Sequence, residues 1–307
     1  MPQAVYFLML PQVLSLDVSG PAETLRLAGT FSLHYIGPEP QVTCSIGMTL
    51  SRLEPLPARL EDDAILVVPG VSDSARYFAN PQAEQARRWL AALQPDLQSR
   101  RITLVCVCSG ALLAAQAGLL DGYQCTTHHD VLERMRLQAP AALVKENRIF
   151  VEDRSVYTSA GITAGIDLAL HLINRQCGAT RATEVAREMV VYFRRSGDDP
   201  QLSPWLRYRN HLHPAVHRAQ DVMAAEPEAE WSVPQVAEKA HVSSRHLARL
   251  FRSHIGISVR EYHEQLRLAV AQQRLQQGYG LEKAALAAGF SSGRQLRRAQ
   301  QRGQNPL

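Results

Sequence analysis

Short runs of apolar, mostly β-branched residues occur along the first two thirds of the chain, and each run ends at a turn. Such runs are typical of buried strands in a parallel sheet. They lie at residues 4–10, 65–68 and 102–107. Between them, apolar residues recur at helical spacing, at residues 21–28, 81–93 and 111–120. Strands that alternate with helices predict an α/β fold with a doubly wound, mainly parallel sheet of the flavodoxin-like type.

The α/β pattern ends in two short strands followed by a long helix. These elements are predicted at residues 148–152, 155–158 and 163–193. A segment that contains glycine and proline then breaks the helix, and we predict a linker at 196–213. The chain is thereby divided into an α/β domain, 1–195, and a helical domain, 214–307.

The helical domain contains two similar helix-turn-helix patterns, at residues 233–251 and 281–300. In the first pattern, Ser232 and Ser243 stand where N-caps are expected, one before each helix. A helix between the two patterns, at residues 259–276, is expected to set their separation. The domain is therefore predicted to be all-α, with two helix-turn-helix units.

The second helix of each unit leaves polar residues on the side away from its apolar face. Arginines at such positions can donate bidentate bonds to guanine or clamp phosphate. If both helices enter successive major grooves, they should lie about 34 Å apart. The alternative is a helical bundle whose arginines are only solvated. The candidate DNA-binding residues are Ser244, Arg245, Arg249, Arg294, Arg297 and Arg298.

Charge differs between the two parts of the chain. Residues 208–307 hold 14 Lys and Arg against 8 Asp and Glu, a net charge of +6. Residues 1–207 hold 19 against 21, a net charge of −2. The positive charge therefore belongs to the helical domain, as expected if that end of the chain contacts a polyanion.

The cysteines and the lack of long apolar runs indicate the compartment. The chain has five cysteines, an odd number, and their scattered spacing does not resemble a secreted disulfide framework. The first residues lack a basic n-region, and no run reaches the roughly eighteen apolar residues of a membrane span. We therefore expect a cytoplasmic protein that has no membrane partner and needs no cofactor.

One cysteine, Cys108, directly follows a predicted strand and precedes a predicted helix. This arrangement is typical of a nucleophile elbow. We expect the helix N-terminus and its free N–H groups to lower the pKa of the Cys108 thiol and to hold an oxyanion. The alternative is a buried structural cysteine. No metal site is expected at Cys106 and Cys108, the two cysteines of this Cys-x-Cys sequence. The spacing of His211, His213 and His217 is interpreted as incidental.

Motifs in the helical domain resemble the AraC/XylS DNA-binding domain over residues 214–303. They are Val236-Ala237, His246-Leu247-Ala248-Arg249-Leu250-Phe251 and Ala284-Ala285-Leu286-Ala287-Ala288-Gly289-Phe290-Ser291. The resemblance implies that the second helix of each unit reads DNA through the six candidate residues above. Two departures bear on the packing of the second unit. Gln300 replaces an aromatic residue that the family buries, and the chain ends soon after Pro306.

Motifs in the α/β domain resemble the ThiJ-like, class I glutamine amidotransferase-like superfamily, in its GlxA-like branch that carries AraC-type domains. They lie at residues 16–23, 68–70, 117–122, 126–128 and 158–167, together with the Cys108 elbow. In enzymes of the superfamily, the elbow cysteine is paired with a carboxylate and often a histidine. The resemblance thus implies Cys108, Asp17 and His128 as candidate catalytic residues. The candidate ligand-binding residues are Asp17, Gly70, Cys108, Ser109, His128 and Ser159.

Two positions depart from the superfamily pattern. Val71 stands where a second glycine often supplies a backbone donor, and His129 replaces the aromatic residue that is usual after His128. Both departures count against transferring the enzymatic activity to this chain.

Two hypotheses for the function remain. The first is a sequence-specific transcription regulator of the AraC family, not an enzyme; whether Cys108 gives its α/β domain a residual activity is left open. The resemblance implies that its α/β domain binds a small nitrogen-containing metabolite, such as an amino acid or a betaine. Its expected partners are double-stranded DNA and a second copy of the chain, with RNA polymerase as a further candidate. The second hypothesis is a cysteine-dependent hydratase or amidase that resembles isocyanide hydratase. The basic helical domain favours the regulator, because a stand-alone enzyme has no use for it.

Overall fold

A computed structural model describes residues 2–191, 195–197, 201, 208, 211, 213–276 and 278–304. The chain divides into two compact units, Met1–Gln201 and Leu202–Leu307. The division falls inside the linker predicted at 196–213. Most residues of that predicted linker lie outside the described ones.

The first unit is built on a seven-stranded sheet whose order is β10-β11-β7-β6-β1-β2-β5. Its strands are β1 (Gln3–Leu8), β2 (Phe31–Gly37), β5 (Glu54–Pro55), β6 (Ile65–Val68), β7 (Thr103–Val107), β10 (Phe150–Asp153) and β11 (Val156–Ser159). All neighbouring pairs are parallel except β10 and β11. The mainly parallel, doubly wound α/β fold is thus confirmed.

Two small sheets flank the main one. β3 (Gln41–Thr43) pairs antiparallel with β4 (Thr49–Ser51), and β8 (Gln124–Cys125) pairs parallel with β9 (Leu143–Val144). Both are too short to hold a core of their own. They extend the loops around the large sheet.

Helices cover both faces of the main sheet. They are α1 (Ser15–Ala28), α2 (Ser74–Tyr77), α3 (Pro81–Ala92), α4 (Gln94–Gln98), α5 (Gly110–Gln116), α6 (Leu132–Gln138) and α7 (Ala164–Glu188). Side chains alternate along β1, so that Tyr6 and Leu8 pack on the side of α3 to α6, whereas Val5 and Phe7 pack on the side of α1 and α7. The central strands are buried on both sides, which explains why they are apolar throughout.

Helix α1 begins at Ser15, six residues before the position predicted from Pro21. Proline is common in the first turn of a helix, which is why the pattern favoured a start there. Here Pro21 lies inside α1 and leaves the carbonyl of Asp17 without its usual helical donor. The earlier start places the Asp17 side chain on the first turn of a helix rather than in a loop.

The second unit is helical in all its described elements. These are α8 (Pro214–Ala225), α9 (Val233–Lys239), α10 (Ser244–Ile255), α11 (Val259–Gln276), α12 (Leu281–Ala287) and α13 (Gly293–Gln304). Ser232 forms a capping box with Gln235, and the Ser243 side chain accepts from the backbone N–H of His246. The two predicted helix-turn-helix units are therefore α9 with α10, and α12 with α13.

The two helix-turn-helix units have different cores. The first packs around Phe251 and Tyr262, whose rings meet edge to face at 5.9 Å between centroids. The second is small and built largely of alanine; its buried residues are Ala271, Ala285, Ala288, Phe290, Leu296 and Ala299. Helix α13 is held by Leu296 and Ala299, and Gln300 is half-buried. The unit thus packs without the aromatic residue that the family buries there.

Across the described part of the chain, no helix combines the length and the apolar character that crossing a membrane requires.

Candidate functional site

Cys108 lies in a strained turn between β7 and α5. Its φ is 57°, in the left-handed region that residues other than glycine rarely adopt. Its backbone N–H donates to the carbonyl of Ser159, at 3.0 Å. Gly161 passes so close that a Cβ at that position would lie 2.2 Å from the Cβ of Cys108, and its φ is +92°. The elbow geometry therefore requires glycine at position 161.

Asp17 reaches the elbow from the first turn of α1. Its side chain is fully buried, with 0% of the residue exposed. One carboxylate oxygen accepts the backbone N–H of Gly70 at 3.1 Å, and the other accepts that of Ile162 at 2.7 Å. The Cys108 thiol also hydrogen-bonds to this carboxylate. The predicted pairing of Asp17 with Cys108 is present, at the edge of the sheet where the strands have their carboxyl ends.

Burial controls the ionisation of Asp17. Desolvation raises the pKa of its carboxyl from 3.8 to about 6, even though hydrogen bonds from Ile162, Gly70 and Cys108 each lower it. At neutral pH the carboxylate is therefore ionised in a site that water does not reach.

The pKa of the Cys108 thiol is raised, not lowered as the sequence predicted. Burial is the largest cause, since only 5% of the residue is exposed, and the negative charge of Asp17 is the next. A hydrogen bond from the Ser109 backbone opposes them without prevailing. The expectation relied on the helix N-terminus and overlooked the buried carboxylate. At neutral pH, Cys108 is a thiol that donates to Asp17.

Gly70 and Ser109 complete the packing around the pair. A Cβ at Gly70 would lie 2.7 Å from a carboxylate oxygen of Asp17 and 2.8 Å from the hydroxyl of Ser109. The Ser109 hydroxyl accepts the backbone N–H of Val71 at 3.0 Å. The backbone donor at position 71 is thus present but already engaged by Ser109.

Ser159 contributes an unsatisfied polar atom. Its side chain is fully buried, and its hydroxyl has no hydrogen-bond partner among the described residues. Buried polar groups are normally paired. The hydroxyl is therefore available to a polar ligand group.

His128 lies at the border of the site. Its Nδ1 accepts the backbone N–H of Asp130 at 3.3 Å, and its ring lies against that of His129, tilted by 35° with 4.2 Å between centroids. Burial, and secondarily the neighbouring His129, lower the pKa of His128. Within the described residues, His128 makes no hydrogen bond to Cys108 or Asp17. Of the candidate catalytic residues, the described contacts link Cys108 with Asp17.

His128, His129 and Asp130 also offer ligand atoms that all lie within 4.8 Å of one another. This spacing fits a metal ion, and it is the one such group found in the described part of the chain. Asp130 is largely exposed, and the pattern is common without an ion. The sequence analysis predicted no metal here.

Three contacts at the site were not predicted from sequence. The hydroxyl of Thr127 donates to the carbonyl of Cys108 at 2.8 Å, and the backbone of Ile162 donates to Asp17. The side-chain amide of Gln201 donates to the carbonyl of Thr127 at 2.8 Å. Thr127 and Ile162 lie in the quoted motifs, which could have indicated them. Nothing in the pattern around Gln201 indicates a role.

The six candidate DNA-binding residues lie on α10 and α13. Their five arginines are exposed, and none forms an ion pair with another described residue. Other arginines of the same helices behave differently, since Arg252 pairs with Glu261 at 3.5 Å and Arg302 with Glu264 at 2.8 Å. The predicted arginines therefore present charge that the protein itself does not neutralise.

An α/β unit with a cysteine elbow, joined to a pair of helix-turn-helix units, defines a class of DNA-binding regulator. Residues 3–175 match the DJ-1/PfpI family, and residues 236–303 match a helix-turn-helix domain. The HTH-type transcriptional regulator GbdR of Pseudomonas aeruginosa is 31% identical over 301 residues, which cover 95% of this chain and 79% of GbdR. An isonitrile hydratase of Pseudomonas putida is 32% identical over 191 residues, which cover 60% of this chain and 76% of the hydratase.

A solved structure agrees with the fold. The crystal structure of an AraC family transcriptional regulator from Pseudomonas putida superimposes with a TM-score of 0.53 at 22% identity, over 61% of this chain and 100% of that one. The chain belongs to the DJ-1/PfpI family. With its AraC-type helix-turn-helix domain, it is a DNA-binding transcriptional regulator.

The raised pKa of Asp17 predicts that its carboxyl becomes protonated near pH 6. Because the folded-state pKa lies above the ordinary 3.8, the folded state retains a proton that the unfolded state releases. The contribution of Asp17 to the free energy of unfolding should therefore fall as the pH rises from about 4 to about 6. Difference infrared spectroscopy should show a protonated-carboxyl band that appears below pH 6 and is missing in Asp17→Asn. A band that appears only below pH 4 in the wild type would contradict the assignment.

Proposed function

We propose that the α/β unit binds a small nitrogen-containing metabolite, such as an amino acid or a betaine, and that this binding changes how the helical unit binds DNA. The observation that supports the site most directly is the buried Asp17 carboxylate beside the Cys108 thiol. A carboxylate without water is stabilised by a nearby positive charge, which a cationic nitrogen would supply. The metabolite class itself follows from the resemblance to the GlxA-like branch.

The proposed ligand contacts come from four parts of the α/β unit. Asp17 would face the cationic group, and the unpaired hydroxyl of Ser159 would bond a polar group. Gly70 and Ser109 shape the wall beside Asp17. Cys108 and His128 would complete the lining. An effector bound here acts only if its affinity differs between two arrangements of the protein.

The proposed DNA contacts come from α10 and α13. Ser244, Arg245 and Arg249 would contact one major groove, and Arg294, Arg297 and Arg298 the next. We propose that the regulator acts in the cytoplasm as a homodimer, since two copies double the number of DNA contacts. RNA polymerase is the further partner that we propose to test.

Titration of the full chain by calorimetry, with a panel of amino acids and betaines, tests the effector site. We expect at least one compound of this class to bind the wild type and to change its affinity for DNA. Asp17→Asn should weaken binding strongly, because it removes the buried charge. Asp63→Asn is the matched control. Asp63 is exposed and lies just before the N-terminal end of β6, whereas Gly70, which contacts Asp17, follows the carboxyl end of β6. If Asp17→Asn binds the compound as tightly as the wild type and Asp63→Asn do, the proposed site is refuted.

The unpaired arginines should matter for DNA more than the paired ones. Arg245→Ala or Arg249→Ala should each cost about 1–3 kcal/mol of binding free energy if the lost contact is with guanine. Arg252→Ala, on the same helix, should cost less because Glu261 already neutralises that side chain. Fluorescence anisotropy with a specific and a scrambled duplex measures the loss of binding free energy for each variant. Equal losses for all three variants on both duplexes would mean that α10 contributes only charge.

The contact between Asp17 and Cys108, together with the partial match to an isonitrile hydratase, supports a second candidate function. In it, Asp17 accepts the thiol proton of Cys108 as the sulfur bonds to the isocyanide carbon, and it returns that proton to the same carbon to give a thioimidate. Water then adds to this carbon, and the Cys108 thiol leaves to release an N-formyl amine. If this activity exists, the wild type should hydrate an alkyl isocyanide and Cys108→Ser should not. Turnover by Cys108→Ser equal to that of the wild type would dismiss the cysteine mechanism.

A further inference from the structure

Gln201 connects the end of the α/β unit to the elbow through hydrogen bonds. Only 8% of the residue is exposed. Its side-chain amide donates to the carbonyls of Thr127, at 2.8 Å, and Arg148, at 2.9 Å. The hydroxyl of Thr127 donates in turn to the carbonyl of Cys108, at 2.8 Å. A single residue, Thr127, therefore separates the Gln201 side chain from the elbow backbone.

The hydrogen bonding of Gln201 is incomplete. Its side-chain oxygen is buried and has no partner among the described residues. A buried acceptor without a donor costs free energy, so this arrangement is less stable than one in which the oxygen is paired. Gln201 thus holds two carbonyls through its amide group and keeps an acceptor that the described residues do not satisfy.

Arg195 makes a second connection, to the segment that follows β11. Its side chain donates to one carboxylate oxygen of Asp167 at 2.8 Å and 2.6 Å, and its backbone N–H donates to the other at 3.0 Å. It also donates to the hydroxyl of Thr163 at 2.9 Å. Thr163 directly follows Ile162, whose N–H donates to Asp17. Arg195 therefore holds the segment that carries a donor to the buried carboxylate.

Both residues belong to the last part of the α/β unit, ahead of the helical unit in sequence. They bind two different loops, 126–128 and 161–163, and each loop makes a hydrogen bond to Cys108 or Asp17. A ligand that moves either loop changes the contacts of Arg195 or Gln201. We propose that Arg195 and Gln201 are the positioning residues that couple occupancy of the elbow site to DNA binding. This inference rests on the proposed function.

Thermodynamic reciprocity gives a test that needs no identified effector. If occupancy of the site changes the affinity for DNA, then DNA binding must change the affinity of the site for its ligand by the same factor, and so must bias the arrangement of the site. Because Cys108 is a buried thiol, iodoacetamide reaches it only when the elbow opens. Its alkylation rate, measured by mass spectrometry on the full chain, therefore reports on that opening. Cys177, which is half-buried on α7, serves as the internal reference. The DNA is a duplex from upstream of the protein's own gene that is bound in preference to a scrambled one.

In the wild type, the duplex should change the Cys108 alkylation rate by about fivefold or more. Gln201→Ala and Arg195→Ala should still bind the duplex, but in these variants the duplex should leave the Cys108 alkylation rate nearly unchanged. Gln201→Glu keeps the shape of the side chain but cannot donate to the two carbonyls, so it should behave like Gln201→Ala. Gln85→Ala and Arg88→Ala, on the surface of α3, are matched controls that should retain the wild-type change.

Two results would overturn the inference. One is a wild type that binds the duplex with no change in Cys108 alkylation. The other is a set of Gln201 and Arg195 variants that keep the full change. Failure to bind any duplex is a different result, because it refutes the regulatory function itself.

Discussion

The buried carboxylate of Asp17 is the contact on which the α/β unit's site depends. It joins three separate segments of chain, because it accepts N–H groups from Gly70 and Ile162 and a thiol from Cys108. The close approach of these segments requires glycine at positions 70 and 161, where a Cβ would overlap the pair. Burying the Asp17 carboxylate removes a charge from water, and this desolvation raises the pKa of Asp17. The same desolvation makes the site suited to a cationic or proton-donating ligand.

In the helical unit the charged side chains of interest are exposed to solvent, unlike the buried carboxylate of Asp17. Its five candidate arginines are exposed and form no ion pair with a described residue, whereas Arg252 and Arg302 are neutralised by glutamates. Among the arginines of α10 and α13, the positive charge that no described glutamate or aspartate neutralises therefore lies on the five candidate arginines. The alanine-rich core of the second helix-turn-helix unit shows that short side chains suffice to hold such a helix, with Leu296 as its main apolar contact.

Local patterns predicted β1, β6, β7, β10 and β11, the elbow and the capped helices, since strand burial and N-caps depend on residues close in sequence. They missed β2 (Phe31–Gly37), most of whose residues are only half-buried. The start of α1 was missed because Pro21 indicates a helix start in most contexts but lies inside this helix. The pKa of Cys108 was predicted in the wrong direction, because burial and the neighbouring Asp17 arise only from the fold. The Gln201 contacts join residues more than fifty positions apart, and no periodicity reveals such a contact.

A regulator must read a DNA sequence and not only DNA charge. A fluorescence-anisotropy titration of the full chain against its own upstream DNA and a scrambled duplex of equal composition, each at two salt concentrations, separates the two. We expect a preference for the upstream duplex that persists at the higher salt, because base contacts release no counterions. Equal affinity for both duplexes, abolished by salt, would contradict it.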